Sequence, residues 1–201
     1  DAHGYRAHHW AAGSPTGCLA YLLTLAPARV VDATTRHERR SGKRGGRTVL
    51  HWACRNGVVA HVDLLLGRDP SSAEAPTADG TTPLMLALYS GATATCELLY
   101  ARGARVQRHA NAWACRDAHW AAMGNDASAA LGWVRSKLSR DAWRAAAVEA
   151  QAQGHTVFHK AAQRGRGRTL AWLLEDLGDS ADAGLGPDDS GRPPSQVAAA
   201  A

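Results

Sequence analysis

Apolar residues recur along the chain in two alternating kinds of short block, separated by polar and glycine-rich stretches. The first kind is alanine-rich and opens on similar residues: His9-Trp10-Ala11-Ala12, His51-Trp52-Ala53-Cys54, His119-Trp120-Ala121-Ala122 and His159-Lys160-Ala161-Ala162. A fifth copy, Thr82-Pro83-Leu84-Met85-Leu86-Ala87, has Met at the His position. A sixth, Pro193-Pro194-Ser195-Gln196-Val197-Ala198, has Gln. The equivalent positions 9, 51, 85, 119, 159 and 196 are spaced by 42, 34, 34, 40 and 37 residues. The second kind is leucine-rich and follows thirteen and fourteen residues later, as Leu22-Leu23, Leu64-Leu65, Leu98-Leu99 and Trp172-Leu173. A glycine precedes the His position by five residues (Gly4, Gly46, Gly80, Gly154, Gly191), and another follows by six (Gly57, Gly91, Gly165).

Each pair of blocks predicts two short helices. Glycine before the first block supplies a turn with positive φ. Thr48, Thr82 and Thr156 stand where a hydroxyl can cap the first helix, and Pro83 sits where a first-turn proline is tolerated. The alanine pair leaves a thin helix face, and the leucine pair makes the apolar stripe of the second helix. One such unit cannot bury its face alone, so neighbours must stack into an all-α solenoid.

This frame resembles the ankyrin repeat, whose signature is T-P-L-H-x-A with a period near 33. Thr82-Pro83-Leu84 with Gly91, Leu98-Leu99 and Gly103-Ala104 is the fullest copy. The resemblance covers the whole chain and implies stacked helix-turn-helix units with loop fingers. It sets repeats at about 1–32, 43–76, 77–110, 111–138 and 151–180, with a partial sixth at 188–201. Repeat four departs most, with Arg116-Asp117-Ala118 in place of Thr-Pro-Leu and its second glycine one residue early, at Gly124. Two insertions interrupt the frame. One is a basic loop over 33–45, and the other predicts an extra helix at about 139–150 with Ser139 as its N-cap. The Gly/Asp-rich stretch 176–190 reads as loop, the sixth repeat lacks its second helix, and residues 198–201 are expected to fray.

Composition adds polarity to this picture. The net charge is +5, with eight Arg/Lys against two acids from Thr35 to Arg68 and six acids against one Arg from Glu175 to Arg192. There are 42 alanines and no isoleucine, so the aliphatic core rests on Leu, Val and Ala. No apolar run approaches the ~20 residues of a membrane span. Four cysteines without CxxC spacing argue against a disulfide framework and for a reducing compartment, cytoplasmic or nuclear. The opening residue Asp1 reads as a fragment, a processed chain or an excised domain, and the expected state is a monomer.

The recurring histidines invite a metal reading, which geometry opposes. Equivalent helices of stacked neighbours lie ~8–10 Å apart, whereas Zn–N bonds are ~2.0–2.1 Å. The resemblance implies instead that this His hydrogen-bonds neighbouring loop backbone. Neither metal nor cofactor is expected. Trp10, Trp52 and Trp120 are expected to form an apolar ladder in the core, joined there by Trp133 and Trp172. No GxSxG, HExxH or P-loop motif is present, so the chain reads as non-catalytic. Cys54 is expected as an inert core thiol and Cys115 as an accessible one in a finger.

The resemblance places the binding surface on the finger tips and the exposed side of the first helices. Carried over by position, the candidates are Tyr5, Arg47, Arg55, Asn56, Asp79, Tyr89, Trp113, Met123, His155 and Arg164. Arg, Tyr, Trp and Met are enriched at interfaces. Trp113 is either an anchor for a partner or a plug of its own loop. The expected function is protein–protein recognition on a concave face, with a partner of some acidic character. Two alternatives stay open. The chain can be the targeting or regulatory module of a larger protein, such as a ligase adaptor or kinase. Or the basic loop, with Arg36, Arg39, Arg40, Lys43 and Arg44, can bind nucleic acid or an acidic partner through residues 36–47. Nucleic acid is the less expected ligand, because the loop has no aromatic residue for base stacking.

Overall fold

The structure is a computed structural model that describes residues 6–26 and 46–199. The basic-loop candidates Arg36, Arg39, Arg40, Lys43 and Arg44, and Tyr5, lie outside the described residues. All described regular structure is helical, with no strand among the described residues. The chain divides into two compact units, Asp1–Arg105 and Val106–Ala201.

In the first unit three helix pairs follow one another: α1 (Ala7–Gly13) with α2 (Cys18–Leu25), α3 (Val49–Arg55) with α4 (Val59–Arg68), and α5 (Pro83–Ser90) with α6 (Thr93–Ala101). A 3-10 turn, Pro70–Glu74, follows α4. The first helices α1, α3 and α5 stack as one layer, and α2, α4 and α6 as a second. Alanine and cysteine make the close approach possible: Ala12, Ala53, Cys54 and Ala87 are all fully buried between helices. The leucine stripe closes the other side through Leu19, Leu23, Leu65, Leu66 and Leu99. Two of the three expected caps form, with the Thr48 and Thr82 hydroxyls accepting the N–H groups of His51 and Met85, whereas the Thr156 hydroxyl donates to the Gly184 carbonyl at 2.7 Å. His61 of α4 reaches back to the carbonyls of Ala12 and Thr16, tying one pair to the end of the previous first helix.

The second unit repeats the plan with α7 (Asp117–Met123) and α8 (Ala127–Ser136), α10 (Val157–Gln163) and α11 (Gly167–Leu177), and α12 (Pro194–Ala199). Helices α7, α10 and α12 stack in one layer, and α8 meets α11 in the other. The inserted helix α9 (Arg140–Val148) starts at Ser139, whose hydroxyl accepts the Ala142 N–H at 3.2 Å. It packs on Gly178–Gly184, a 3-10 turn within the stretch that composition alone reads as loop. The reason is burial: Ala181 and Gly184 are enclosed, and a Cβ on Gly184 would come within 2.5 Å of the Phe158 ring. The insertion therefore belongs to the core. Trp143 of α9 is fully buried, and its indole N–H donates to Asp176 at 2.7 Å. Arg135 and Arg140 hold the same carboxylate.

The tryptophan ladder differs from expectation. Trp10 and Trp52 do meet, with tilted rings and centroids 5.7 Å apart, but Trp10 is 61% exposed and Trp52 half-buried. Trp120, Trp133 and Trp172 are also half-buried. At the His+1 position Leu86 and Val197 are buried, whereas the larger indoles of Trp10, Trp52 and Trp120 are only partly covered.

The fingers are copies of one five-residue turn. In Thr77–Thr81, Asn111–Cys115, Gln151–His155 and Asp188–Arg192 the first N–H donates to the fifth carbonyl, and the fourth N–H donates to the first carbonyl. The fourth residue takes a positive φ: 80° at Gly80, 74° at Gly154, 77° at Gly191, and 57° at Ala114. Gly154 meets a second demand, since a Cβ there would lie 2.6 Å from the Asp189 backbone nitrogen of the next finger. Ala114 is the exception in repeat four, an L-residue in the left-handed region. The first residue of each finger adds a side-chain acceptor, most fully in Asn111, whose Oδ1 accepts the N–H groups of Trp113 and Cys115 at 3.0 Å.

Two stability changes follow from this packing. Trp143→Ala should cost roughly 3–5 kcal/mol in chemical denaturation, the range for deleting a buried aromatic, whereas Trp10→Ala should cost clearly less. Equal costs would contradict the placement of α9 in the core. Ala114→Gly should stabilise by about 0.5–1 kcal/mol, as relief of left-handed strain outweighs the entropy of a more flexible unfolded chain. A loss of stability would contradict the finger geometry.

Candidate functional site

The recurring imidazole sets the position of the fingers. Nδ1 of His9, His51, His119 and His159 accepts the backbone N–H of Arg6, Thr48, Arg116 and Thr156, at 3.0, 3.2, 3.3 and 3.2 Å. An accepting Nδ1 leaves the proton on Nε2, which then donates to the next loop. His119 donates to the Glu149 carbonyl at 2.9 Å and His159 to the Arg192 carbonyl at 3.2 Å. In these two repeats the neutral ring so fixes the start of its own helix and the loop that follows. Burial pushes His51 down to about 4, opposed by the Thr81 peptide, while Arg47 lowers it further. Burial lowers His119 and His159 as well.

In the first unit, α3 and α5 carry a basic and aromatic cluster. The Arg55 guanidinium, at the end of α3, lies over the Tyr89 ring of α5 at 4.2 Å from its centroid. Both are half-buried, and Arg47 is near enough for its charge to act on Arg55 and His51. Burial weakens the hold of Arg55 on its proton, and Tyr89 opposes this. Asp79, half-buried, stays within its own finger: its carboxylate accepts the Thr77 hydroxyl and the Thr81 N–H. Asn56 is exposed, and its amide N–H donates to the Trp52 carbonyl at 2.9 Å, beside Gly13.

In the second unit the candidates separate. Arg164 is exposed, and Met123 and Trp113 are half-buried. The Trp113 carbonyl accepts the Ala152 N–H of the neighbouring finger at 3.0 Å, so its loop is anchored while its ring remains partly open. His155 is 7% exposed and faces inward rather than outward. Its ring stacks on His159 with centroids 5.3 Å apart, and its Nε2 lies 3.0 Å from Oδ2 of Asp188. Cys115, expected to be accessible, is buried, and burial pushes its thiol up despite the charge of Lys160.

Sequence reasoning missed Lys160 and Asp188. Nζ of Lys160 lies 3.2 Å from His155 Nδ1, completing a chain from Asp188 through His155 to a buried amine. Asp188 is buried, and its carboxyl is held far below the ordinary range by the backbone N–H groups of Arg192 and Ser190, then by His155 and the Arg192 side chain. A signal did exist in the sequence. The residue after the His position is Trp, Trp, Leu, Trp and Val in the other copies, so a lysine there puts a charge in an apolar slot.

The lowered histidines give stability a pH dependence with a defined sign. A folded-state value below the unfolded one means that the unfolded chain binds more protons, so stability is whole above pH 6.5 and falls as the pH drops toward 4. His51 alone should account for about 2 kcal/mol lost between pH 7.5 and pH 5. His51→Gln keeps an acceptor for the Thr48 N–H and should flatten that slope in denaturation series. An unchanged slope would place the titration elsewhere.

A scan against protein-family models matches ankyrin repeats (3 copies) over residues 8–110, just over half of the chain. A search of curated proteins finds no match. The finger turns at 111–115, 151–155 and 188–192 carry the frame beyond the matched residues. The chain belongs to the ankyrin-repeat family.

Proposed function

We propose that this chain is a protein-recognition module whose first unit binds an acidic segment of its partner on the surface formed by Arg47, Arg55 and Tyr89. Ankyrin repeats generally mediate protein–protein interaction and are typically non-catalytic. No described helix is long and apolar enough to cross a membrane. The observation that carries the finer reading is the Arg55 guanidinium stacked on Tyr89. An arginine held over an aromatic face keeps its N–H fork directed outward and loses little side-chain entropy when a carboxylate arrives. Because the two residues sit on separate stacked helices, the repeat packing itself preorganises them, which lowers the ordering cost of binding. Asp79, whose charge acts on His51 as that of Arg47 does, disfavours wrong registers through like-charge repulsion. Arg164, Met123 and Trp113 offer further contact on the second unit.

The test is affinity capture from cell extract with the intact chain and with an Arg55→Ala/Tyr89→Ala variant, at two salt concentrations, with capture quantified by mass spectrometry. Both chains are first checked for equal helical circular dichroism. A protein retained at moderate salt should fall at least about tenfold with the variant, as expected for removal of central anchors. Equal capture by both chains would overturn the reading. Capture of nucleic acid alone, lost with salt from both chains, would move the site to residues 36–47.

A further inference from the structure

We infer that Lys160 is a covalent modification site, at which its amine adds carbon dioxide to form a carbamate with His155 as the proton acceptor. The inference is independent of the partner-binding reading. Lys160 is 7% exposed, in a slot where other copies carry Leu86 and Val197. Among the described residues no carboxylate lies within ion-pair distance of its Nζ, and its hydrogen bond goes to an imidazole nitrogen. A buried ammonium without an anion favours the neutral, nucleophilic amine. Burial lowers its hold on a proton, Arg164 lowers it further, and Cys115 opposes.

The neighbouring ring is set up to take the proton. Asp188 Oδ2 faces His155 Nε2 at 3.0 Å, which places the ring proton on Nε2 and leaves Nδ1 as an acceptor 3.2 Å from Nζ. The arrangement follows the logic of a nucleophile, a base and an orienting carboxylate. In the reaction the Nζ lone pair forms an N–C bond to carbon dioxide, and one C=O π pair moves onto oxygen. The amine proton passes to His155 Nδ1 and then to solvent. No oxidant or further reactant enters. Two features select this electrophile. The small residual exposure admits only a small, uncharged molecule. The product is an anion, and the surrounding positive charge of Arg164 favours an anion where it disfavours the original ammonium. His119 and His159 also face Lys160 electrostatically, both held toward their neutral forms by burial.

The chain has three lysines, Lys43, Lys137 and Lys160, so the other two and the terminal amine serve as internal references. The intact chain is equilibrated with 13C-labelled bicarbonate at pH 7.5, carbamate is trapped with an alkylating oxonium salt, and the adducts are mapped by peptide mass spectrometry. Trapped carbamate at Lys160 should exceed that at Lys137 several-fold, because a larger share of a less basic amine is in the free, nucleophilic form. Lys160→Met, which matches the apolar residues of the other copies, should fold and lose the signal. Asp188→Asn keeps the finger acceptor but presents an amide N–H to Nε2, which moves the ring proton to Nδ1 and should lower the Lys160 adduct several-fold. If that variant loses cooperative melting, His155→Gln carries the same comparison. Occupancy at Lys160 no higher than at Lys137, or undiminished when the ring is disabled, would overturn the inference.

Discussion

One hydrogen-bonded ring governs this fold. A neutral imidazole accepts the N–H that opens its own helix and donates to the loop that precedes the next helix. Both bonds are needed: the first fixes where the helix begins, and the second fixes the distance to the neighbouring finger. The ring must be neutral to make them, because a protonated Nδ1 can no longer accept. The same demand explains why burial around the ring is tolerated, since a neutral imidazole with both nitrogens engaged leaves no buried charge. At position 85 a thioether replaces the ring; its sulfur still accepts the Thr82 N–H at 3.5 Å, but it has no proton to pass on.

What the sequence made legible is the part of the fold that repeats. His, Thr, Pro and Gly recur at fixed offsets because each meets a local demand of the backbone, namely an acceptor, a cap, a fixed φ or a positive one. Even the inserted helix was readable, from Ser139 and the alanine run after it. Harder to read was whatever depends on a neighbour about one repeat away. Trp143 is core because Asp176 and the Gly178–Gly184 turn close over it, which periodicity within α9 does not reveal. Cys115 and His155 close their fingers at the fifth position and are buried there, as Thr81 is, which only the packing of the repeats reveals. Asp188, 33 residues after His155, falls in the Gly/Asp-rich stretch that reads as loop, because sequence distance hides contacts between consecutive fingers.

The basic and aromatic cluster proposed as the recognition surface of the first unit is assembled by stacking. Arg55 ends α3 and Tyr89 lies near the end of α5, so neither helix alone could bring them together. The alanine faces of these helices set a close spacing, and that spacing places the guanidinium 4.2 Å from the ring centroid. Binding specificity in such a module comes from side chains that vary on a backbone that does not. The price is that the platform inherits the pH sensitivity of the scaffold, because His51 sits under it and must stay neutral for α3 to start where it does.

Lys160 breaks the local rule that the rest of the chain obeys. An apolar residue there would pack at no electrostatic cost, as Leu86 and Val197 do in their own repeats. A buried amine is disfavoured unless its surroundings answer it, and here the answer is an oriented imidazole rather than an acid. A direct carboxylate would have locked the ammonium form in place. The interposed ring lets the proton leave, while Asp188, anchored by the backbone of its own finger, keeps that ring in the accepting tautomer. Places where local consistency fails are where function is most often found. In this chain the departure stands at the buried seam between three consecutive fingers, where a change of charge on one atom would bear on all three.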